Sequence, residues 1–187
     1  YLVSSLFVKD YLFPEKETQD VLKALKEIPE EVYINTCKEI HKKLKNKRFT
    51  YDDLDNFGLK AQKIWTDRLP ASTATEYRKL MEKLNSKELP QNVHQHLDPV
   101  LEYIMENPQN QSWLEHSGMK GGSTASLLTK ALYAKRTNGD KIAMSYFLTD
   151  LSYFEQIQLS RSMNAFEIAV LQDVGFREKL KKMISRL

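Results

Sequence analysis

The spacing of apolar residues changes character along this chain. Up to about residue 110 it follows the 3.6-residue period of amphipathic helices, over residues 113–150 the two-residue period of a sheet, and beyond that helix again. Thr18 to Lys26 and Glu30 to Lys47 read as two helices parted at Pro29, and in the second Tyr33, Cys37, Ile40 and Leu44 share one face. Between Phe49 and Pro70 the period weakens, and we expect a short helix from Asp53 followed by a loop carrying Trp65-Thr66-Asp67-Arg68. Thr73-Ala74-Thr75-Glu76 has the form of a capping box, in which the threonine hydroxyl takes one orphan amide and the glutamate carboxylate the reciprocal one. Behind it Tyr77, Leu80, Met81 and Leu84 mark a buried face. A further helix starts near Gln91 with Val93 and Leu97 inward, and Asp98-Pro99 restarts it as cap and first residue ahead of Val100, Leu101, Ile104 and Met105.

The sheet segment centres on Asn138-Gly139, which predicts a two-residue type I′ turn because both residues tolerate positive φ. Leu127 to Arg136 and Lys141 to Asp150 are its arms. In the second arm Ile142, Met144, Tyr146 and Leu148 fall on one face and Ala143, Ser145 and Phe147 on the other, so a helix is expected over each face. Tyr153 to Leu171 returns to helix with Phe166, Ala169 and Val170 on the sheet. Gly175 is expected to break it ahead of a basic tail helix, Phe176 to Leu187, with Leu180, Met183 and Ile184 inward.

Just ahead of the hairpin stands Lys120-Gly121-Gly122-Ser123-Thr124. Paired glycines beside a strand clear side chains from a place where something approaches the backbone, and the lysine sets a cation there. A cation beside free backbone N–H groups suits a carboxylate or an oxyanion. A plain glycine turn with a solvated lysine would leave the same residues.

A Lys-Gly-Gly strand, a long antiparallel hairpin and a C-terminal helical segment, in that order, resemble the closing part of the penicillin-recognising serine hydrolases. These include the class A β-lactamases and D-alanyl-D-alanine peptidases, whose third motif is Lys-[Ser/Thr]-Gly. The resemblance covers about Thr66 to Leu187. It implies an α/β (α+β) fold with an antiparallel sheet covered by helices, of which this chain holds the C-terminal part. It further implies acyl transfer or hydrolysis on a cell-wall peptide or β-lactam-like amide, in the periplasm or outside the cell, with a small-molecule or peptide substrate and no metal or other cofactor.

Carried over residue by residue, Lys120 would supply positive charge to a substrate carboxylate and the proton network, Gly122 would keep the groove open, and the Ser123 N–H would be an oxyanion-hole donor, with Thr124 beside it. Gly121 stands where the family has a hydroxyl. The family's second motif, Ser-x-Asn, is matched poorly: Ser4-Ser5-Leu6 has leucine in place of asparagine, although Asp10-Tyr11-Leu12 follows, so Ser4 is the candidate relay hydroxyl. The segment Thr50 to Ser72 contains no glutamate for deacylation, which favours a peptidase or transpeptidase over an efficient β-lactamase.

The nucleophile of this family is a serine one helical turn before a lysine. The literal Ser-x-x-Lys here, Ser117-Gly118-Met119-Lys120, is set aside because its glycines oppose a helix. The nucleophile is therefore expected outside this chain. His116 is read as structural.

Composition narrows the alternatives. At 187 residues the chain fits one domain, with a helical portion over 1–110 and the sheet and last helices over 111–187. A formal charge of +3 gives no argument for nucleic acid, and no apolar run is long enough to span a membrane. His94 and His96, two apart, cannot share a helix face to bind a metal. Cys37 lies on an apolar stripe and reads as a small core residue. A second functional class is a non-catalytic helical interaction or binding module, in which the basic runs Lys42 to Arg48 and Lys179 to Arg186 meet an acidic partner or membrane surface, or in which a degenerate hydrolase is kept as a binder.

Overall fold

The structure, a computed structural model, describes residues 8–13, 18–44 and 59–186. Ser4, the segment around Asp53 and the basic residues Lys45, Lys47 and Arg48 lie outside the described residues. Packing groups the chain into two compact units, Tyr1–Ala71 and Ser72–Leu187. The helices from residue 74 onward therefore belong with the sheet.

In the first unit α1 (Val8–Leu12), α2 (Thr18–Glu27), α3 (Glu30–Leu44) and α4 (Leu59–Thr66) surround one apolar cluster. Its members include Val8, Val21, Leu25, Tyr33, Cys37, Ile40 and Ile64, so Tyr33, Cys37 and Ile40 of the stripe read on α3 are buried. Trp65 and Thr66, expected in a loop, lie in α4 instead. Burial of Ile64 favours the helix there, and the Thr66 hydroxyl donates back to the Gln62 carbonyl at 2.8 Å. Arg68 lies just past α4 and donates through Nη2 to the carbonyls of Leu25 at 2.9 Å and Ile28 at 2.8 Å, taking up acceptors that the end of α2 leaves open.

The second unit is mixed α+β. Helices α5 (Ala74–Asn85) and α6 (Gln91–Leu101), a 3₁₀ turn (Tyr103–Glu106) and the short α7 (Pro108–Gln111) lead into strands β1 (Leu114–Thr124), β2 (Leu127–Arg136) and β3 (Lys141–Leu148), followed by α8 (Tyr153–Gln172) and α9 (Val174–Ile184). The strands form an antiparallel sheet in the order β1-β2-β3. Side-chain alternation divides its apolar residues between two clusters. Ala131, Tyr133 and Ala143 pack with Met81 and Leu84 of α5 and with Leu101, whereas Leu114, Leu132, Ala134, Ile142 and Met144 pack with Leu171 of α8. Both faces are covered by helices, as the alternation in β3 implied. Each buried Leu or Met side chain contributes roughly 1.5–3 kcal/mol.

The Thr73–Glu76 capping box forms. The face behind it is narrower than the pattern suggested, since only Met81, Leu84 and Asn85 are buried and Tyr77 and Leu80 sit at the rim. Tyr77 there meets the ring of Phe147 edge-on at 5.3 Å. Asn85 points its amide into the sheet and donates to the carbonyls of Ala134 at 3.0 Å and Ile142 at 3.1 Å.

α6 runs without interruption through Asp98-Pro99. Asp98 does not cap a new helix, because its carboxylate takes Lys87 Nζ at 2.6 Å and His94 Nδ1 at 3.0 Å. Leu97 is exposed and His94 is buried in its stead. At the end of the chain the break falls at Asp173, whose carboxylate caps α9 by accepting the Phe176 N–H at 3.0 Å, and not at Gly175. Met183 and Ile184 are exposed there, 58% and 59%, and no described residue of this unit covers them.

The β2–β3 turn is not type I′. Arg136 N–H donates to Asp140 O and Gly139 N–H to Arg136 O, both at 2.9 Å, and of the loop residues Gly139 alone has positive φ, at 90°. This is a three-residue loop, a tight turn followed by a left-handed glycine.

Candidate functional site

Among the described residues β1 is an edge strand, so one row of its backbone groups has no strand partner there. Its first half is anchored. Ser117 and Gly118 are buried, and the Ser117 hydroxyl donates to the Tyr133 carbonyl at 2.7 Å. Gly118 is required by close approach, since a Cβ there would stand 2.5 Å from Tyr133 Oη and 2.6 Å from its Cζ. The second half, Lys120 to Ser123, is exposed.

That exposed half lines an open cleft of about 530 Å³. One wall is apolar, with Val100, Leu101 and Tyr103 at the end of α6 and Met163 on α8; Val100 is 67% exposed and Tyr103 51%. Ser160, Met163, Asn164 and Glu167 enter the lining from α8 at helical spacing. Register sets Gly121 opposite Lys130 and Met119 opposite Leu132, so Lys130 lies beside the glycine pair.

Among the described residues three charged ones line this cleft: Lys120, Lys130 and Glu167. Glu167 is 5% exposed and doubly engaged, by Lys130 Nζ at 2.5 Å and by the Tyr146 hydroxyl, which donates at 2.6 Å. Removing one partner of such a buried pair costs about 3–5 kcal/mol because the other charge is stranded. Burial, and then the hydrogen bond to Glu167, raise the Tyr146 phenol well above its ordinary value, so it stays protonated and serves as a donor. Among the described residues Lys120 meets no carboxylate, and it donates to the carbonyl of Gly121.

A second polar cluster fixes the anchored half of β1. Glu102 accepts from Tyr133 Oη at 2.9 Å, Lys87 Nζ at 3.1 Å and His116 Nδ1 at 3.3 Å. Burial alone would raise this carboxyl. The bonds from His116, Tyr133 and Lys87 outweigh burial and hold it at about 2. The Tyr133 phenol is raised by burial and by Glu102, and it too remains a donor. His116, read from sequence as structural, is held in place by Glu102.

No family model, curated protein or solved structure matches this chain. Site chemistry therefore rests on the residues themselves. Lys120, Gly121, Gly122 and Ser123 are brought together on the cleft. Thr124 lies on the same strand but outside the lining, its hydroxyl accepting the Ser126 N–H at 3.4 Å across the β1–β2 turn. Ser117 and Lys120 sit three apart on a strand and so face opposite sides, which removes this Ser-x-x-Lys as a nucleophile pair.

Sequence reasoning missed Lys130, Tyr146 and Glu167. The pairing of Lys130 with Gly121 follows once the Ala125-Ser126 connection is recognised as a turn, but that dipeptide has none of the glycine, proline or asparagine that marks one. Chemically the arrangement offers an open strand edge, one uncommitted ammonium, an apolar wall and a neutralised ion pair. It can hold an extended amide or an anion. Among the described residues no helix is long and apolar enough to cross a membrane.

Proposed function

We propose that this chain forms the substrate-binding wall of a serine hydrolase of the penicillin-recognising kind. It would act by acyl transfer on a cell-wall peptide or β-lactam-like amide in the periplasm or outside the cell, with the nucleophile supplied from beyond these residues. The observation that carries the reading is the placement of Lys120-Gly121-Gly122-Ser123 on an exposed sheet edge that lines a cleft. Behind that edge the chain continues through two antiparallel strands into a long helix, the order of elements from which the resemblance was drawn.

In this role the Lys120 ammonium attracts the substrate carboxylate, and the Ser123 N–H stabilises the developing oxyanion, a donor whose loss typically costs about a hundred- to a thousandfold in rate. Gly122 leaves room for the substrate backbone. Gly121 withholds the hydroxyl that would share the carboxylate, so Lys120 carries more of that binding.

The test is covalent labelling of the full-length protein with a fluorescent penicillin, the adduct located by peptide mapping. We expect a serine ester outside residues 1–187 and a loss of labelling of about a hundredfold in Lys120→Ala. Absence of an adduct at saturating reagent, or labelling indifferent to Lys120→Ala, would overturn the acyl-transfer reading.

One observation favours a second reading, a binding module derived from such an enzyme. The chain's own Ser-x-x-Lys serine is buried and committed to the Tyr133 carbonyl. Reversible binding in the cleft with no adduct would select this reading.

A further inference from the structure

The charge arrangement of the cleft makes a demand on its ligand that the motif alone does not. Lys120, Lys130 and Glu167 are the charged residues of its described lining, but they are not equivalent: register pairs Lys120 with Ala131 and Lys130 with Gly121, so the two lysines leave the sheet on opposite faces, either side of the glycine edge. Lys130 is held 2.5 Å from the buried Glu167, whose other oxygen is taken by the Tyr146 hydroxyl. Lys120 stands exposed on the strand edge with no carboxylate partner among the described residues. The wall facing it presents Val100 and Tyr103, both large, apolar and more than half exposed.

We infer that Glu167 is a specificity-determining residue that limits the cleft to ligands bearing a single negative charge on an apolar body, by neutralising Lys130 and leaving Lys120 as the one uncommitted cation among the described lining residues. A monoanion meets Lys120 and lays its apolar part against Val100 and Tyr103. The second carboxylate of a dianion reaches Lys130 only by passing round the glycine edge and competing there with Glu167, which is already seated and desolvated beside it. It would also sit near the charge of Glu167, which is only 5% exposed, so like-charge repulsion there is less screened than at the surface. The inference rests on the cleft being the substrate site proposed above but needs no acylation step.

The test uses reversible probes, dansyl-glycine with one carboxylate and dansyl-aspartate with two, titrated by fluorescence against the full-length protein at fixed ionic strength. The unaltered protein is expected to bind dansyl-glycine about tenfold more tightly than dansyl-aspartate, a difference of about 1.4 kcal/mol. Glu167→Gln keeps the side-chain shape and frees Lys130, and it should reverse that order. The double variant Lys130→Gln with Glu167→Gln, neutral at both positions, should restore the preference for the monoanion. Lys120→Gln, at an exposed position outside the core, should abolish binding of dansyl-glycine, and it keeps the idea testable should Glu167→Gln fail to fold.

Failure of dansyl-glycine to bind the unaltered protein, an unchanged order in folded Glu167→Gln, or retained dansyl-glycine binding in Lys120→Gln would overturn the inference. These outcomes are separate from the penicillin-labelling result. Selective probe binding without an adduct sinks the hydrolase reading and leaves this one standing, whereas an adduct with no charge selectivity does the reverse.

Discussion

Gly118→Ala isolates one close contact on which the anchored half of β1 depends. The added methyl would lie 2.5 Å from Tyr133 Oη, 2.6 Å from Cζ and 2.7 Å from Cε1, and no methyl occupies such distances without movement. Tyr133 cannot easily give way, because its side chain is 0% exposed, packs with Met81 and Leu84, and holds Glu102 through its hydroxyl at 2.9 Å. Overpacking of this kind costs about 1–3 kcal/mol, and loss of a hydrogen bond to a charged acceptor adds about 1.5–3 kcal/mol if the ring is displaced. We expect a total near 3 kcal/mol. Gly121→Ala on the same strand is the control: its nearest neighbour would be the Thr129 carbonyl at 3.6 Å, an ordinary contact, so its effect on stability should stay within about 0.5 kcal/mol. Urea unfolding supplies the free energies, with hydrogen exchange on β1–β2 peptides assigning the loss to the sheet unit. In a Tyr133→Leu background, which removes the ring, Gly118→Ala should become nearly neutral, giving a coupling energy of about 3 kcal/mol. A cost below about 0.5 kcal/mol in the unaltered protein, or the same cost in both backgrounds, would refute the reasoning.

Two further stability predictions follow from the same unit. Glu102 is held at about 2 against an ordinary 4.5, so its contribution is present above pH 4.5 and is lost as the pH falls toward 2. Glu102→Gln should therefore cost on the order of 2 kcal/mol at pH 7, with the gap to the unaltered protein narrowing through that acidic window in thermal melts; a gap independent of pH would be the adverse result. Asn85→Ala strips the donor that serves the carbonyls of Ala134 and Ile142 and should cost about 2 kcal/mol in urea unfolding, whereas a neutral outcome would show that those carbonyls find other partners.

Features whose partners lie within a few residues of each other could be read before the structure. The capping box closes between Thr73 and Glu76, and the strand edge of the site is one contiguous run, Lys120 to Ser123. The stripe Tyr33, Cys37 and Ile40 is a single helix face. What could not be read was brought together across the sequence. Glu167 meets Lys130 over a separation of 37 residues and Tyr146 over 21. No local pattern on α8 distinguishes this glutamate from a solvated one, and only the fold shows that it is buried. Met183 and Ile184 failed for the opposite reason, since their spacing is helical and apolar but nothing in the described unit lies against them.

The turn at Asn138-Gly139 shows how a strong local signal yields to the sheet around it. A two-residue turn on that dipeptide would pair Thr137 with Asp140 and carry Tyr133 opposite Met144 and Leu132 opposite Ser145. Because the side-chain period of a strand is two, such a slip would move one strand's whole apolar set to the other face relative to its neighbour. The observed register instead pairs Leu132 with Met144, Ala134 with Ile142 and Tyr133 with Ala143. Each pair then meets one helix, α8 or α5, and the two clusters stay separate. Gly139 serves either turn, since both need positive φ at its position, whereas Asn138 does not need it in the longer loop. The core decides between them, because exposing a strand's apolar set costs several side chains' worth of burial and an extra loop residue costs only a few tenths of a kcal/mol.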